Sequence, residues 1–288
     1  MKFSSMHTHT SFCDGKDDME TMCRAAYEKK LYAIGFSAHA PITKKTGIKG
    51  DWLLSEDHVD EYVEQVQKAK NRWRGKLEVF LGFEVDYIKG LVSANDSDIK
   101  AVNPDYLIGS MHFIIPANGA EPFTVDGSAK EFEKGLREGF GGDAEALMHC
   151  YYDSMLEMIS LGGFDILGHA DIIKNNYHNE THCSIESEIN RQSEIACAAA
   201  KSGLTVEVST GGINRKKISE VYPSSAFLRM LCERNVPVII TADAHCALHI
   251  DGNYNTAIKT LIYAGYKEHV IFMGKNKEKK NWQKENIL

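Results

Sequence analysis

Residues 236–245 read Val-Pro-Val-Ile-Ile-Thr-Ala-Asp-Ala-His, an apolar, β-branched run that ends in a carboxylate and a histidine. Such a run is typical of a strand buried in a parallel sheet. Six further segments have the same character: residues 2–9, which end in His7-Thr-His9, 32–39 ending in His39, 77–84 ending in Glu84, 106–112 ending in His112, 164–169 ending in His169, and 205–209, which are followed by Thr210-Gly-Gly212. The sequence therefore predicts seven strands, most of them with a chemically reactive side chain at the carboxyl end.

Helical patterns separate most of these strands. They cover residues 17–30, 57–74, 143–161, 186–201, 224–234 and 255–263, and Ser224 after Tyr222-Pro223 is a candidate N-cap. Strands that alternate with helices indicate a parallel α/β sheet. An open doubly wound sheet would gather its ligands near one switch point, whereas a β/α barrel collects them from the ends of many strands. The pattern favours a seven-stranded barrel with its site at the carboxyl ends of the strands.

Composition sets limits on the function. The 288 residues suit a single barrel domain over 1–288, and a net charge of -7 weighs against a general nucleic-acid binder. A phosphorylated substrate stays compatible, because metals supply positive charge locally. Neither a signal peptide nor a run of membrane length is present, and the seven cysteines, without a C-x-x-C motif, indicate reduced thiols in a cytoplasmic protein. Cys13 is expected to be a small filler residue.

Three segments depart from the strand–helix alternation. Residues 115–142 are expected to form an insertion over the barrel mouth, and residues 174–184 follow the strand of His169 directly. Loops in these places usually shape substrate specificity. The basic tail over 275–284 is predicted to be a solvated helix or frayed end rather than a nucleic-acid arm.

The placement of the histidines indicates a metal site. In His7-Thr-His9 the two imidazoles point to the same face of a strand, because side chains alternate with period two. Imidazole nitrogens beside carboxylates form a ligand set for Zn, Mn or Fe. The other histidines of the chain, at 58, 149, 178, 182, 249 and 269, lack such company and need no role at the site. We therefore predict a site for several metals.

These motifs, in this order, resemble the PHP (polymerase and histidinol phosphatase) superfamily. The matching segments are His7-Thr-His-Thr10, His39-Ala-Pro41, Gly82-Phe-Glu-Val-Asp-Tyr87, Ser110-Met-His112, Gly168-His169 and Asp243-Ala-His245. Within the superfamily, Phe83-Glu-Val-Asp-Tyr87 and the segment from Gly211 to Ser224 look like the monofunctional histidinol-phosphate phosphatases. The resemblance implies a distorted seven-stranded barrel that holds two to three divalent metals.

Position by position, the resemblance also implies the ligands. The first metal is expected on His7, His9, Glu84 and Asp243, the second on a bridging Glu84 with His112 and His169, and the third on His39, His245 and Asp14. The sequence around Phe12 also offers Asp17 and Asp18 for that last place. Asp14 is chosen because it is nearest to the strand end.

The implied reaction is hydrolysis of L-histidinol phosphate, with a water shared by the metals losing its proton and attacking phosphorus. Asp243, His245 or a metal-bound water would protonate the leaving oxygen. Lys174 and Arg215 are candidate cations for the phosphate, although both could be ordinary surface cations. Glu207 could meet the substrate's ammonium or imidazole if it faces inward, and is otherwise a solvated carboxylate.

Other functions stay open at this point. The same barrel could carry a phosphodiesterase or a nucleotide phosphohydrolase, since the metals contact only phosphate. A scaffold or a polymerase proofreading role conflicts with the full ligand set and with the lack of a polymerase segment, and a metal-dependent amidohydrolase would need a different ligand order. A small phosphorylated substrate is the expected partner, with neither nucleic acid nor membrane, and the oligomeric state is left open.

Overall fold

Seven parallel strands surround the centre of the molecule in the computed structural model, which describes residues 1–48, 50–180, 184–276 and 279–288. The described residues form eleven strands in all, the seven of the barrel and two antiparallel pairs: β1 (Ser4–Ser5), β2 (Ala33–His39), β3 (Glu78–Asp86), β4 (Tyr106–Ser110), β5 (Phe113–Ile114), β6 (Phe123–Thr124), β7 (Ile166–Leu167), β8 (Thr205–Ser209), β9 (Val238–Thr241), β10 (Glu268–Asn276) and β11 (Lys279–Asn286). The parallel sheet has the order β1-β2-β3-β4-β7-β8-β9.

The sheet closes between its first and last strands. Beyond the ends of β1 and β9, the His9 N–H donates to the Ala244 carbonyl at 2.9 Å, and the Ala244 N–H donates to the His7 carbonyl at 3.0 Å. The strand predicted over residues 2–9 is reduced to β1 and this bridge, because the chain bends at His7. With its short β1 and β7, the molecule confirms the prediction of a distorted seven-stranded barrel.

Helices surround the barrel: the six that the sequence predicted are present, together with five others among the described residues. They are α1 (Met19–Glu28), α2 (Thr43–Thr46), α3 (Val59–Trp73), α4 (Ser97–Ala101), α5 (Ala129–Phe140), α6 (Ala144–Leu161), α7 (Lys174–Glu180), α8 (Ile185–Ser202), α9 (Gly211–Asn214), α10 (Ser225–Glu233) and α11 (Tyr254–Ala264), with short 3-10 turns at Glu56–His58 and Ala247–His249. The N-cap at Ser224 is confirmed, since its hydroxyl accepts from the Phe227 N–H at 3.4 Å.

The amino-end half of the barrel is a packed apolar core. Tyr106, Ile108 and Ile239 pack inside it, each two or more residues below the ends of their strands. Tyr106 fills the axis, and its hydroxyl donates to the Met6 carbonyl at 2.5 Å. Gly35 makes room for this ring, because a Cβ there would lie 2.4 Å from the Tyr106 hydroxyl. The polar site is thus confined to the opposite, carboxyl end.

The carboxyl-terminal tail differs from the prediction. Instead of a solvated helix or frayed end, β10 and β11 form an antiparallel hairpin. Val270, Phe272 and Trp282 from this hairpin pack beneath the interior residues. Burial of their apolar surface holds the tail in place, and the Lys280 ammonium donates to the Asp105 carbonyl. The apolar run Val270-Ile-Phe-Met273 was the overlooked signal.

The segment over residues 115–142 forms a cover at the barrel mouth, as expected. It contains β6, which pairs with β5, and the helix α5. A capping box between Ser128 and Glu131 begins that helix: the Glu131 N–H donates to the Ser128 hydroxyl, and the Glu131 carboxylate accepts from the Ser128 N–H. Of the segment 174–184, residues 174–180 form α7, and residues 181–183 lie outside the described part of the chain.

The state of the cysteines and the character of the helices bear on two further predictions. Their cysteines are free thiols, as predicted, at positions 13, 23, 150, 197, 232 and 246, while Cys183 lies outside the described residues. No helix of the described chain combines the length and the apolar character that crossing a bilayer requires. The single domain over 1–288 stays a prediction.

A pH-dependent stability follows from His269 in β10. The side chain is 1% exposed, stacks on Phe3, and its burial lowers its pKa to about 4. Unfolding restores the ordinary value near 6.5, so the unfolded chain binds the proton first as the pH falls from 6.5 towards 4. We expect the free energy of unfolding to fall by about 3 kcal/mol across this window because of His269.

Urea unfolding at several pH values, for the wild type and His269→Leu, measures this contribution. The variant should lose that part of the pH dependence, whereas His58→Leu, at an exposed histidine, should keep it. An unchanged slope in His269→Leu would contradict the assignment.

Candidate metal centre

Glu84 lies at the centre of the site, at the carboxyl end of β3. It is 1% exposed, and its two oxygens face different histidines. Oε1 lies 3.0 Å from His169 Nε2 and 3.6 Å from His112 Nε2. Oε2 lies 3.2 Å from His7 Nε2 and 3.5 Å from His9 Nε2. A carboxylate placed in this way can bridge two cations, one on each oxygen.

A third group of donors lies beside the first two. Asp14 Oδ2 is 3.0 Å from His245 Nε2, and Asp14 Oδ1 is 3.3 Å from His9 Nδ1. His39 Nε2 is 4.0 Å from the same Oδ1. The arrangement brings together the three residues expected at the third metal and adds His9 to them.

The alternatives to Asp14 have other partners. Asp17 accepts the Ala247 N–H at 2.7 Å, which fixes the loop that carries His245. Asp18 is the N-cap of α1, and it accepts the Thr21 N–H at 2.7 Å. Both carboxylates therefore satisfy main-chain donors near the site.

Asp243 joins the first group from the end of β9. Its Oδ1 lies 3.4 Å from His9 Nε2 and 3.7 Å from His7 Nε2. The residue has a left-handed φ of 47°, a turn that follows directly on the strand. Gly211 permits this approach, because a Cβ at that position would lie 2.6 Å from Asp243 Oδ2.

The donor atoms fit divalent cations. At this site, four buried imidazole nitrogens have no hydrogen-bond partner among the described residues: His7 Nε2, His9 Nε2, His39 Nδ1 and His169 Nδ1. Leaving such atoms unpaired costs free energy, which coordination offsets. The described residues form four overlapping groups of imidazole and carboxylate side chains. Within each group, the donor atoms lie within 4.8 Å of one another. Nitrogen and oxygen donors of this kind suit Zn, Mn or Fe, and their number suits two or three ions.

The carboxylates also control the protons of the histidines. Burial opposes the charge of His7, but the surrounding carboxylates raise its pKa well above the ordinary value. Burial likewise opposes the charge of His112, yet Asp86 and Glu84 raise the pKa of His112 to about 10. At His39 burial dominates and lowers the pKa to about 4. Cations that bind here displace protons from His7 and His112.

Glu207 does not have the predicted role. It faces inward, but it is fully buried behind His7 and is not among the described residues that line the cavity. Its Oε1 accepts from His7 Nδ1 at 2.7 Å and from the Thr241 hydroxyl, and its Oε2 accepts from the His169 N–H at 2.9 Å. Both oxygens of Glu207 accept hydrogen bonds from the protein, away from the cavity, so the structure contradicts the predicted substrate contact.

The structure also contradicts the phosphate contact predicted for Lys174. Its ammonium is buried, 3.1 Å from Asp171 Oδ2 and 3.1 Å from Glu220 Oε1, and it donates to the Val221 carbonyl at 2.8 Å. It lies over the ring of Tyr222, and it is not among the described residues that line the cavity. These contacts neutralise the Lys174 ammonium away from the metal centre.

Arg215 lies at the wall of a cavity of about 840 Å³ above the metal centre, and its contact with phosphate stays a prediction. Its guanidinium donates to Asp243 Oδ2 at 2.7 Å and lies 3.0 Å from His245 Nδ1. Burial opposes the charge, but Asp243 holds the pKa of Arg215 above its ordinary value. Arg215 therefore remains a cation beside the cavity.

Three functional positions were not found from the sequence. Asp86 accepts from His112 Nδ1 at 2.6 Å, and its place two residues after Glu84 on one strand was the available signal. Asp126 and Lys217 line the cavity together, and the Lys217 ammonium donates to the Asp126 carbonyl at 2.9 Å. Apolar side chains of the wall complete the cavity, among them Ile48, Trp52, Ile88, Leu91, Phe113 and Phe123.

Comparison with known proteins agrees with this geometry. The model of the PHP domain matches residues 5–211. A probable histidinol-phosphatase of Deinococcus radiodurans is 25% identical over 256 residues, 88% of this chain and 91% of the relative. The histidinol-phosphatase of Bacillus subtilis is 24% identical over 253 residues, 84% of this chain and 92% of the relative.

Solved structures share the fold. The hisK protein of Listeria monocytogenes superposes with a TM-score of 0.77 at 22% identity, covering 88% of this chain and 99% of the other. The histidinol phosphate phosphatase of Lactococcus lactis, complexed with Zn, L-histidinol and phosphate, superposes with a TM-score of 0.67 at 16% identity, covering 93% and 96%.

The bridging position of Glu84 leads to a prediction. In Glu84→Gln a neutral amide replaces the shared charge between two groups of histidines, so the protein should bind fewer cations. Loss of outer-shell partners alone lowers metal affinity or activity by about 10–100-fold, and loss of a shared ligand should lower turnover by about two orders of magnitude or more.

Elemental analysis after dialysis, together with phosphate release, measures both effects. The wild type should hold at least about two equivalents of metal, as expected for two or three sites that share ligands. Glu78→Gln, at the exposed amino end of β3, is the matched control. Full metal content and normal turnover in Glu84→Gln would exclude the bridge.

Proposed function

The chain belongs to the PHP domain family, and on that premise we propose that it is a metal-dependent phosphomonoesterase that hydrolyses L-histidinol phosphate to L-histidinol and phosphate. The match covers most of the length of both relatives. They are named a probable histidinol-phosphatase and a histidinol-phosphatase. The observation that carries the proposal is Glu84. Its two oxygens face separate groups of histidines, beneath a cavity whose wall contains the partly buried Arg215.

The chemistry divides between cations and side chains. Bound divalent cations supply positive charge for the phosphate oxygens and lower the pKa of water. His7, His9, Glu84 and Asp243 would hold the first, Glu84, His112 and His169 the second, and Asp14, His39 and His245 the third. The Arg215 guanidinium binds phosphate oxygens in a fork geometry and keeps the ester oriented towards the base of the cavity.

The leaving oxygen of histidinol needs a proton. Burial disfavours the charge of Asp243, yet Arg215 and His7 hold its pKa well below the ordinary value, so this carboxylate stays ionised and is a poor acid. His245 would hold the third cation through Nε2, so a water in the cavity would supply the proton. Asp243 in this scheme supplies negative charge, and it anchors Arg215.

The cover over residues 115–142 supplies the part of the cavity that contacts the rest of the substrate. Its Phe123 gives an apolar surface, and Asp126 gives a carboxylate for a cationic group. Burial raises the pKa of Asp126, but His112 and Lys217 lower it below the ordinary value, so the group is ionised. A small phosphate ester that carries an ammonium or imidazolium group fits this pairing. The free thiols of the described cysteines support a cytoplasmic site of action.

A phosphate-release panel tests the proposal. The purified protein, loaded with Zn or Mn, is given L-histidinol phosphate, p-nitrophenyl phosphate, a nucleoside monophosphate and bis-p-nitrophenyl phosphate. We expect histidinol phosphate to exceed the aryl ester in kcat/KM by about 10–100-fold, the value of one or two charge-assisted contacts. A preference for the diester or the nucleotide would overturn the substrate and favour the corresponding phosphohydrolase.

Arg215→Lys tests the phosphate contact. Lysine keeps the charge but loses the fork, so kcat/KM should fall by about 10–100-fold for histidinol phosphate and for the aryl ester alike. Inhibition by inorganic phosphate should weaken by a similar factor. Arg229→Lys, an arginine that stacks on Tyr263 at the exterior, is the control. A loss confined to one substrate would contradict a phosphate role, and metal analysis checks that the centre is intact.

A further inference from the structure

Two buried carboxylates stand behind the metal centre without lining the cavity. Glu207 is 0% exposed and Asp86 is 1% exposed. Each accepts a hydrogen bond from the Nδ1 atom of one histidine: Glu207 from His7 at 2.7 Å, and Asp86 from His112 at 2.6 Å. Bonds of this length to a charged acceptor are strong, and they fix both the ring orientation and the nitrogen that carries the proton.

The fixed proton leaves the opposite nitrogen as the lone-pair donor. For His7 that atom is Nε2, 3.2 Å from Glu84 Oε2, and for His112 it is Nε2, 3.6 Å from Glu84 Oε1. The two carboxylates therefore aim two imidazoles at opposite oxygens of the same central residue. Partners of this kind raise the basicity of a metal-binding imidazole and hold it in position.

Glu207 has a second connection that Asp86 does not show. Its Oε2 accepts the main-chain N–H of His169 at 2.9 Å, and its Oε1 also accepts the Thr241 hydroxyl. The side chain of His7 faces Glu84 Oε2, whereas His169 faces Glu84 Oε1 at 3.0 Å. One buried carboxylate thus supports ligands on both sides of the bridge.

We infer that Glu207 and Asp86 are positioning residues of the metal centre, and that Glu207 couples the two cation positions that Glu84 separates while Asp86 serves one of them. This inference rests on the proposed metal-dependent function. Neutralising Glu207 should disturb His7 and His169 together, because an amide cannot accept from every donor that surrounds this carboxylate. Neutralising Asp86 should disturb His112 alone.

Metal titration of Glu207→Gln and Asp86→Asn tests the division of roles. The metal-stripped proteins are titrated with Zn and then with Mn by calorimetry, and bound metal is counted after dialysis. We expect Glu207→Gln to weaken two binding events, and Asp86→Asn one, each by about 10–100-fold. Asp165→Asn is the matched control, since Asp165 accepts the Leu107 N–H at 2.8 Å at the amino end of the barrel.

A spectroscopic measurement separates positioning from a general loss of stability. In histidine-labelled, zinc-loaded protein, nuclear magnetic resonance should show His7 and His112 as Nδ1–H tautomers. The His7 signal should change in Glu207→Gln and the His112 signal in Asp86→Asn. Circular dichroism identifies a variant that fails to fold, and in that case the other variant still decides whether its carboxylate positions a ligand.

Wild-type affinity and stoichiometry in both folded variants would overturn the inference. Equal effects of the two variants on all binding events would overturn the coupling assigned to Glu207. If the wild type binds metals as described but does not hydrolyse histidinol phosphate, the proposed function fails while the positioning roles stand.

Discussion

The buried charge of Glu84 is the constraint on which the structure depends. A carboxylate that is 1% exposed is stable only when cations or protonated donors surround it. The chain surrounds Glu84 with histidines from the carboxyl ends of several strands, above an apolar core. A closed barrel brings these strand ends together. The bridge between Thr8 and Ala244 closes that barrel at the level of the site, so the fold and the metal centre share one element.

Much of this arrangement is readable from local sequence. Period-two alternation places Glu84 and Asp86 on the inner face of β3, and an apolar run before each polar residue marks the end of a strand. The helical pattern before Trp73 and the cap at Ser224 depend on interactions within a few residues. Such short-range signals were sufficient to predict the barrel and to gather the proposed ligands at its carboxyl end.

The burial of individual side chains and their contacts with residues distant in sequence could not be predicted in the same way. Alternation left open whether Glu207 faces inward, and it did not indicate that His7 lies between this carboxylate and the cavity. Lys174 follows a strand that ends in a ligand, as a phosphate cation would, yet Glu220 and the Val221 carbonyl hold it elsewhere. Contacts between residues so far apart in sequence depend on how the loops fold, and one sequence does not specify that.

The hairpin beneath the barrel determines the end of the barrel from which molecules reach the site. With Phe272 and Trp282 packed at the amino end, the cavity at the carboxyl end is the opening that the described residues leave to the centre. Substrate and products would therefore share one entrance, at the carboxyl end of the barrel beside Arg215.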